Sequence, residues 1–159
     1  MAEWFVQNVA DAEWLVNEKF GARTMLVPHD SQVGARVHVL EPGKPSTLYH
    51  RESGQEGFLV VEGECLLIVE GEERRLGPWD YFHCPPGATH GFVGAGDGPC
   101  VIVTLGARGG TILYARDETA LRHDAGVEEE TDTPAAAYAP FPKWQPGRPS
   151  GWDSLPWNR

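Results

Sequence analysis

No stretch of the sequence approaches the roughly 20 consecutive apolar residues that a membrane-spanning helix needs. The first residues, MAEWFVQNVADAEW, have no basic start and no apolar h-region, so a secretory leader is not expected. Positive charge is scarce. The 13 Lys and Arg stand against 23 Asp and Glu, a formal net charge of −10. An acidic chain repels phosphate backbones, which argues against DNA or RNA as a partner. No basic amphipathic segment points to a membrane surface. Cysteine is scarce as well. Cys65, Cys84 and Cys100 lie far apart and are odd in number, which argues against a disulfide framework and for a reducing compartment, here expected to be the cytoplasm. P-loop, dinucleotide and serine-triad signatures are all missing.

What the chain has in quantity is turn formers, 19 Gly and 13 Pro, around short apolar runs. Its 159 residues, 41% of them hydrophobic, suit one domain with a real core. Trp4–Val9 reads as a short strand. Asp11 then resembles a helix N-cap, with Ala12, Leu15, Val16 and Phe20 at helical spacing and Gly21 as the stop. From there strands are expected near Thr24–Val27, Ala35–Leu40, Thr47–Arg51, Gly57–Val61, Glu64–Val69, Arg74–Leu76, Tyr81–Cys84, Gly91–Val93, Cys100–Leu105 and Thr111–Tyr114. Glu70-Gly71-Glu72 forms a hairpin turn among them. Many short strands at regular spacing mean an all-β antiparallel sandwich or barrel. Asp117–Ala125 reads as a helix ended by Gly126. From Pro134 the Pro-rich tail is expected to form neither helix nor strand, yet its Phe141, Trp144, Trp152 and Trp157 predict docking on an apolar surface. The divisions are an N-terminal extension (1–34), a barrel (35–115) and a C-terminal helix with an extended tail (116–159).

The runs Phe58–Val61, Cys65–Val69 and Val101–Val103 are apolar at both parities, so both faces of those strands need cover. The N-terminal segment, the Trp-rich tail or a second subunit can supply it, and a homodimer is one expectation.

Chemistry concentrates in two segments. In the first, GKPSTLYHRESGQEGFLVVEG (43–63), His50 and Glu52 share one face of a strand. Glu56 has the parity of Phe58 and Val60, so if those two line the interior its carboxylate does too. Such a group is costly there unless paired or bound to a metal. In the second, WDYFHCPPGATH (79–90), Pro85-Pro86-Gly87 fixes a sharp turn just before His90.

These segments resemble the paired motifs of the cupin superfamily, specifically the small single-domain bacterial cupins. The first motif reads Gly, five residues, His-x-His, three or four residues, Glu, six residues, Gly. His50, Glu52, Glu56 and Gly63 fall on it. The second reads Gly, five residues, Pro-x-Gly, two residues, His, three residues, Asn, and Pro85, Gly87 and His90 match. Glu52 replaces the second histidine, Gly43 sits one residue too far from His50, Trp79 replaces a glycine and Gly94 an asparagine. The resemblance implies a double-stranded β-helix, a jelly-roll barrel with short N- and C-terminal helices. It also implies a divalent metal at His50, Glu52, Glu56 and His90. Two carboxylates beside two imidazoles favour Mn²⁺ or Fe²⁺, with Zn²⁺ or Ni²⁺ as alternatives. Glu52 is either the fourth ligand or a surface carboxylate pairing with Arg51.

The function the resemblance implies is a metal-binding protein acting on a small organic molecule, as a dioxygenase or isomerase. The alternative is a non-catalytic binder of a sugar or small acid. Arg36 and His38 either clamp an anionic substrate or lie on a solvated face. Tyr81 with His83 and Phe82 with Cys84 occupy opposite faces of one strand. His83 is a catalytic candidate if its face is inward, as are His38 and Arg36. Phe58, Tyr81 and Phe92 are candidate substrate contacts.

Overall fold

The computed structural model describes residues 4–158. A 3₁₀ turn at Val9–Asp11 leads into β1 (Trp14–Asn17), β2 (Gly21–Met25) and β3 (Val33–Leu40). Next come β4 (Arg51–Glu52), β5 (Glu56–Glu62), β6 (Glu64–Val69), β7 (Glu72–Leu76), β8 (Tyr81–Cys84), β9 (His90–Ala95), β10 (Cys100–Ala107) and β11 (Ile112–Leu113). The chain ends with α1 (Glu118–Arg122), α2 (Pro134–Tyr138), β12 (Gln145–Pro146) and 3₁₀ turns at Trp152–Ser154 and Pro156–Asn158.

Two antiparallel sheets face each other. One has the order β12-β1-β2-β3-β10-β5-β8. The other is built from β7-β6-β9 and the pair β11-β4, joined where the segment before β4 bridges β9 at Pro45–Val93 and His50–His90. The result is a jelly-roll barrel. Residues of alternate parity point inward, so Leu40, Phe58, Val60 and Ile102 of the large sheet meet Cys65, Leu67 and Phe92 of the small one. All three cysteines are free and buried in or beside this core. Glu70 (φ 49°) and Gly71 (φ 78°) make the left-handed two-residue turn that joins β6 to β7.

Four expectations about the ends of the chain are corrected. The helix expected from Asp11 to Phe20 is a hairpin. Asn17 Oδ1 accepts from the amides of Lys19 (2.8 Å) and Phe20 (3.2 Å), an Asx turn that reverses the chain. Gly21 then enters β2 at φ 70°, where a Cβ would stand 2.5 Å from the Val39 carbonyl oxygen. Residues 4–8 form no strand, and Trp4 and Val6 are exposed. The tail, expected to lack regular structure, holds α2 and β12. Pro134 occupies the first helical turn, where its missing N–H costs nothing, and Pro146 lies on an edge strand. At the end of α1, Asp124 (φ 61°) rather than Gly126 takes the left-handed position.

The doubly apolar strands find their cover within the chain. Val101, Val37 and Val39 pack outward against Trp14, Ala22 and Leu155, with Trp152 and Trp157 alongside. Trp157 stacks on Trp14 at 5.2 Å. On the small sheet, Ile68 and Val93 are covered by Tyr49 and by Ala120 and Ala125 around α1. The apolar pattern therefore carries no argument for a second subunit. The tail's grip is measurable. Leu155 is 1% exposed, so Leu155→Ala should cost about 2–5 kcal/mol in urea unfolding. Leu105→Ala, 47% exposed on the outer face, should stay within about 0.5 kcal/mol. A Leu155→Ala variant as stable as the parent would mean the tail does not dock in solution.

Candidate metal centre

Backbone pairing sets the centre. The His90 amide donates to the His50 carbonyl (2.8 Å) and the His50 amide donates to that of His90 (3.0 Å). Directly opposed residues in an antiparallel pair present side chains on the same face. The two imidazoles accordingly lie side by side, ring centroids 5.0 Å apart. The turn before His90 is closed by the Ala88 amide donating to the Pro85 carbonyl (3.2 Å), with Gly87 at φ 86°. The Gly87 amide donates to the Glu52 carbonyl (2.8 Å), tying the second motif to the first. Glu56 reaches the same space from β5, across the barrel. Its register partner on β10 is Gly106, where a Cβ would come within 3.3 Å of Glu56 Cγ.

The donor atoms of His50, Glu56 and His90 all lie within 4.8 Å of one another. His50 Nδ1–H donates to the Leu48 carbonyl (2.6 Å), and His90 Nδ1 lies 3.2 Å from the Ala88 carbonyl and 3.3 Å from Cys84 Sγ. Such outer contacts fix the ring orientation and leave Nε2 of each imidazole facing the cluster. Glu56 Oε2 is buried without a hydrogen-bond partner, although His90 Nε2 is 3.3 Å away. Three donors about 2.1 Å from one ion stand no more than about 4.2 Å apart, so small rotations close this set on a first-row divalent ion. The residues fit a metal by geometry and by the orphaned carboxylate oxygen.

The electrostatics agree. Burial first, and then the Glu52 charge, raise the Glu56 carboxyl to about 7. Burial first, and then His50, lower His90 to about 4. An imidazole kept neutral is one ready to donate its lone pair to a cation. For His50, burial opposes protonation, but hydrogen bonding to Glu52 and to the Leu48 carbonyl outweighs it and raises the group. The hydrogen bond to His50 in turn lowers Glu52.

A cavity of about 650 Å³ opens onto this cluster. Arg36, His38, His50, Glu52, Glu56, Phe58, His90 and Phe92 all line it. Glu52 sits at the edge, its Oε1 3.5 Å from His50 Nε2 and outside the three-residue cluster. Tyr81 and His83 do not reach the cavity. Both are exposed on the outer face of β8, while Phe82 and Cys84 point inward. Tyr81 lies across Gly57, whose missing side chain makes room for it. Sequence reasoning missed Arg23, Tyr114, Tyr138 and Trp144, which also line the cavity. Arg23 registers opposite His38 and so shares its inward face. The sequence signal for it was parity with the strand read from Thr24, which starts at Gly21 in the structure and so takes in Arg23.

Comparison with known proteins agrees with this architecture. Residues 36–106 match the cupin domain family, and this segment is a cupin domain. No curated protein matches the sequence significantly. Solved structures similar to the chain include a sugar phosphate isomerase of the cupin superfamily from Silicibacter pomeroyi, with 23% identity over 72% of this chain and 88% of that one, TM-score 0.63. KdgF from Halomonas sp. is 25% identical over 69% of this chain and 96% of its own, TM-score 0.56. The polyketide cyclase RemF from Streptomyces resistomycificus is 17% identical over 68% and 82%, TM-score 0.59. Among the described residues no helix is long and apolar enough to cross a membrane.

The raised Glu56 carboxyl predicts a pH dependence of stability in chelator-treated protein. A carboxyl raised on folding contributes stability that is fully present below its unfolded value, 4.5, and is lost as pH climbs through about 7. Glu56→Gln removes that loss. In metal-free denaturant titrations the variant should match the parent near pH 4.5 and exceed it at pH 8 by on the order of 2 kcal/mol. An equal difference at both pH values would contradict burial of an ionisable Glu56.

Proposed function

We propose that the chain is a metal-dependent enzyme that acts on a small polar organic molecule in the barrel cavity, with His50, Glu56 and His90 holding the ion. One observation carries this reading: a buried carboxylate oxygen with no hydrogen-bond partner faces two imidazoles oriented through their far nitrogens. In a purely structural polar cluster that oxygen would have found a donor. The donor set, two His and one carboxylate, leaves coordination positions open, and its anionic oxygen favours Mn²⁺ or Fe²⁺. When bound, the ion supplies Lewis-acid polarisation of a substrate oxygen.

The chain's own groups supply the rest. Glu52, ionised and half-buried at the rim of the cluster, is placed to accept a proton from substrate rather than to serve as a required ligand. Phe58 and Phe92 wall the cavity beside His90 and exclude water from that side, with ring centroids 5.1 and 6.2 Å from the imidazole. The Tyr114 ring lies tilted beside His50, centroids 5.7 Å apart, and packs edge-on against Tyr138. This assembly favours proton transfer on an oxygen-bearing substrate, as in isomerisation or elimination, over oxygenation. The similar solved structures include a sugar phosphate isomerase and a polyketide cyclase, but at those identities the likeness is one of fold, and the chemistry is argued from the cavity.

Elemental analysis after reconstitution with Mn²⁺ or Fe²⁺ tests the ligand set. The parent should hold about one ion per chain, His90→Ala should lose it, and Glu52→Gln should keep it. Full occupancy in His90→Ala would show that the ligands are misassigned. Loss of the ion in Glu52→Gln would make Glu52 a ligand after all.

A further inference from the structure

The side of the cavity lined by β2 and β3 carries positive charge without a partner. Arg23 and Arg36 both line it, and neither forms an ion pair with a carboxylate among the described residues. Arg23 is partly buried, its guanidinium 4.0 Å from the centre of the Trp144 ring. Between the two arginines in register lies His38, 3% exposed, with Nδ1 buried and unpartnered. The register accounts for the grouping. Arg23 opposes His38, Met25 opposes Arg36, and all three cavity-lining side chains leave the same face.

Arg23 and Arg36 are both partly buried, and a guanidinium drawn out of water favours an anion as partner. Glu52 and Glu56 feel the Arg36 charge but lie beyond ion-pair reach of it. Once a divalent ion occupies the cluster, Glu56 is committed to it, and Arg23, Arg36 and Lys143 in the cavity lining outnumber the one remaining carboxylate, Glu52. Burial, and then the neighbouring Arg36 and Arg23, lower His38 to about 3, so it stands as a neutral imidazole able to offer one N–H. Two guanidinium forks and one imidazole donor match the geometry of an oxyanion.

We propose that Arg23, Arg36 and His38 form an oxyanion subsite that holds the carboxylate or phosphate end of the substrate while the remainder of the molecule reaches the His50–Glu56–His90 cluster. The subsite rests on the reading of the cavity as the substrate site, and it narrows the substrate to a small organic anion. Trp144 is a positioning residue. Its ring holds the Arg23 guanidinium in the cavity wall, so the C-terminal tail contributes to the site as well as to the fold.

Calorimetry with three probes of similar size tests this: glucose 6-phosphate, glucuronate and neutral glucose, each against metal-loaded and chelator-treated protein. At least one anionic probe should bind ten-fold or more tightly than glucose, and which one does so separates a phosphate from a carboxylate subsite. Arg36→Ala and Arg23→Ala should each lower that affinity ten-fold or more with metal content unchanged. Arg23→Lys should recover part of it and guards against a folding defect. Trp144→Ala should reduce the preference for the anion over glucose, and Trp144→Phe should restore it. Equal binding of charged and neutral probes, no binding of either anion at millimolar concentration, or arginine variants with parental affinity would each overturn the subsite. Arginine-dependent anion binding by protein that never takes up metal would sustain the subsite and sink the metal reading. Metal uptake without anion preference would do the reverse.

Discussion

The reciprocal backbone hydrogen bonds between His50 and His90 are the constraint on which the rest depends. They are ordinary ladder bonds, each worth about 1 kcal/mol net, but they join segments 40 residues apart and decide which side chains meet. A slip of one residue in that pairing would turn both imidazoles out of the barrel. The register is held from both sides. Gly87 bonds to the Glu52 carbonyl at one end, and Ser46 and Gly43 bond into β9 at the other. The candidate metal centre is thus a consequence of strand registration, with Glu56 brought in from the opposite sheet by parity alone.

Around that register the barrel is chemically two-sided. Carboxylates and imidazoles gather where β5 faces the segment carrying His50 and the start of β9, and unpaired guanidinium groups gather where β2 and β3 line the same cavity. A folded chain gains nothing in stability from burying either set without partners. Both are explained if the missing partners come from outside, a cation for one set and an anion for the other. The tail closes the arrangement. Tyr138, Phe141 and Trp144 pack on Phe20 and border the cavity, and Leu155 and Trp157 pin the hairpin that carries Arg23.

Much of this was legible in the sequence, for identifiable reasons. Short apolar runs bounded by glycine, proline and acidic turns gave β5, β6 and β8 nearly to the residue, and the parity of Glu56 with Phe58 and Val60 tied its direction to theirs. The Pro-Pro-Gly turn announced His90. The N-terminal hairpin was not legible, because Ala12, Leu15, Val16 and Phe20 mimic helical spacing while Asn17 bonds locally to turn the chain. Arg23 fell between the helix stop read at Gly21 and the strand read from Thr24, and its chemistry exists only opposite His38. Parity along Tyr81–Cys84 left two faces open, and packing of Phe82 with Phe58 and Phe92 chose between them, which turned His83 outward. Glu52 matched a ligand position by spacing, yet its distance from the cluster depends on a side-chain direction no spacing reveals.

The central claim is that two imidazoles at 50 and 90 share one ion with the carboxylate at 56. Pulsed electron paramagnetic resonance on protein loaded with one equivalent of Mn²⁺ tests it most directly. The account predicts ¹⁴N couplings from two histidine nitrogens, with exchangeable water protons at the open positions. A spectrum of Mn²⁺ surrounded by water and carboxylate oxygen alone, without nitrogen coupling, would contradict it.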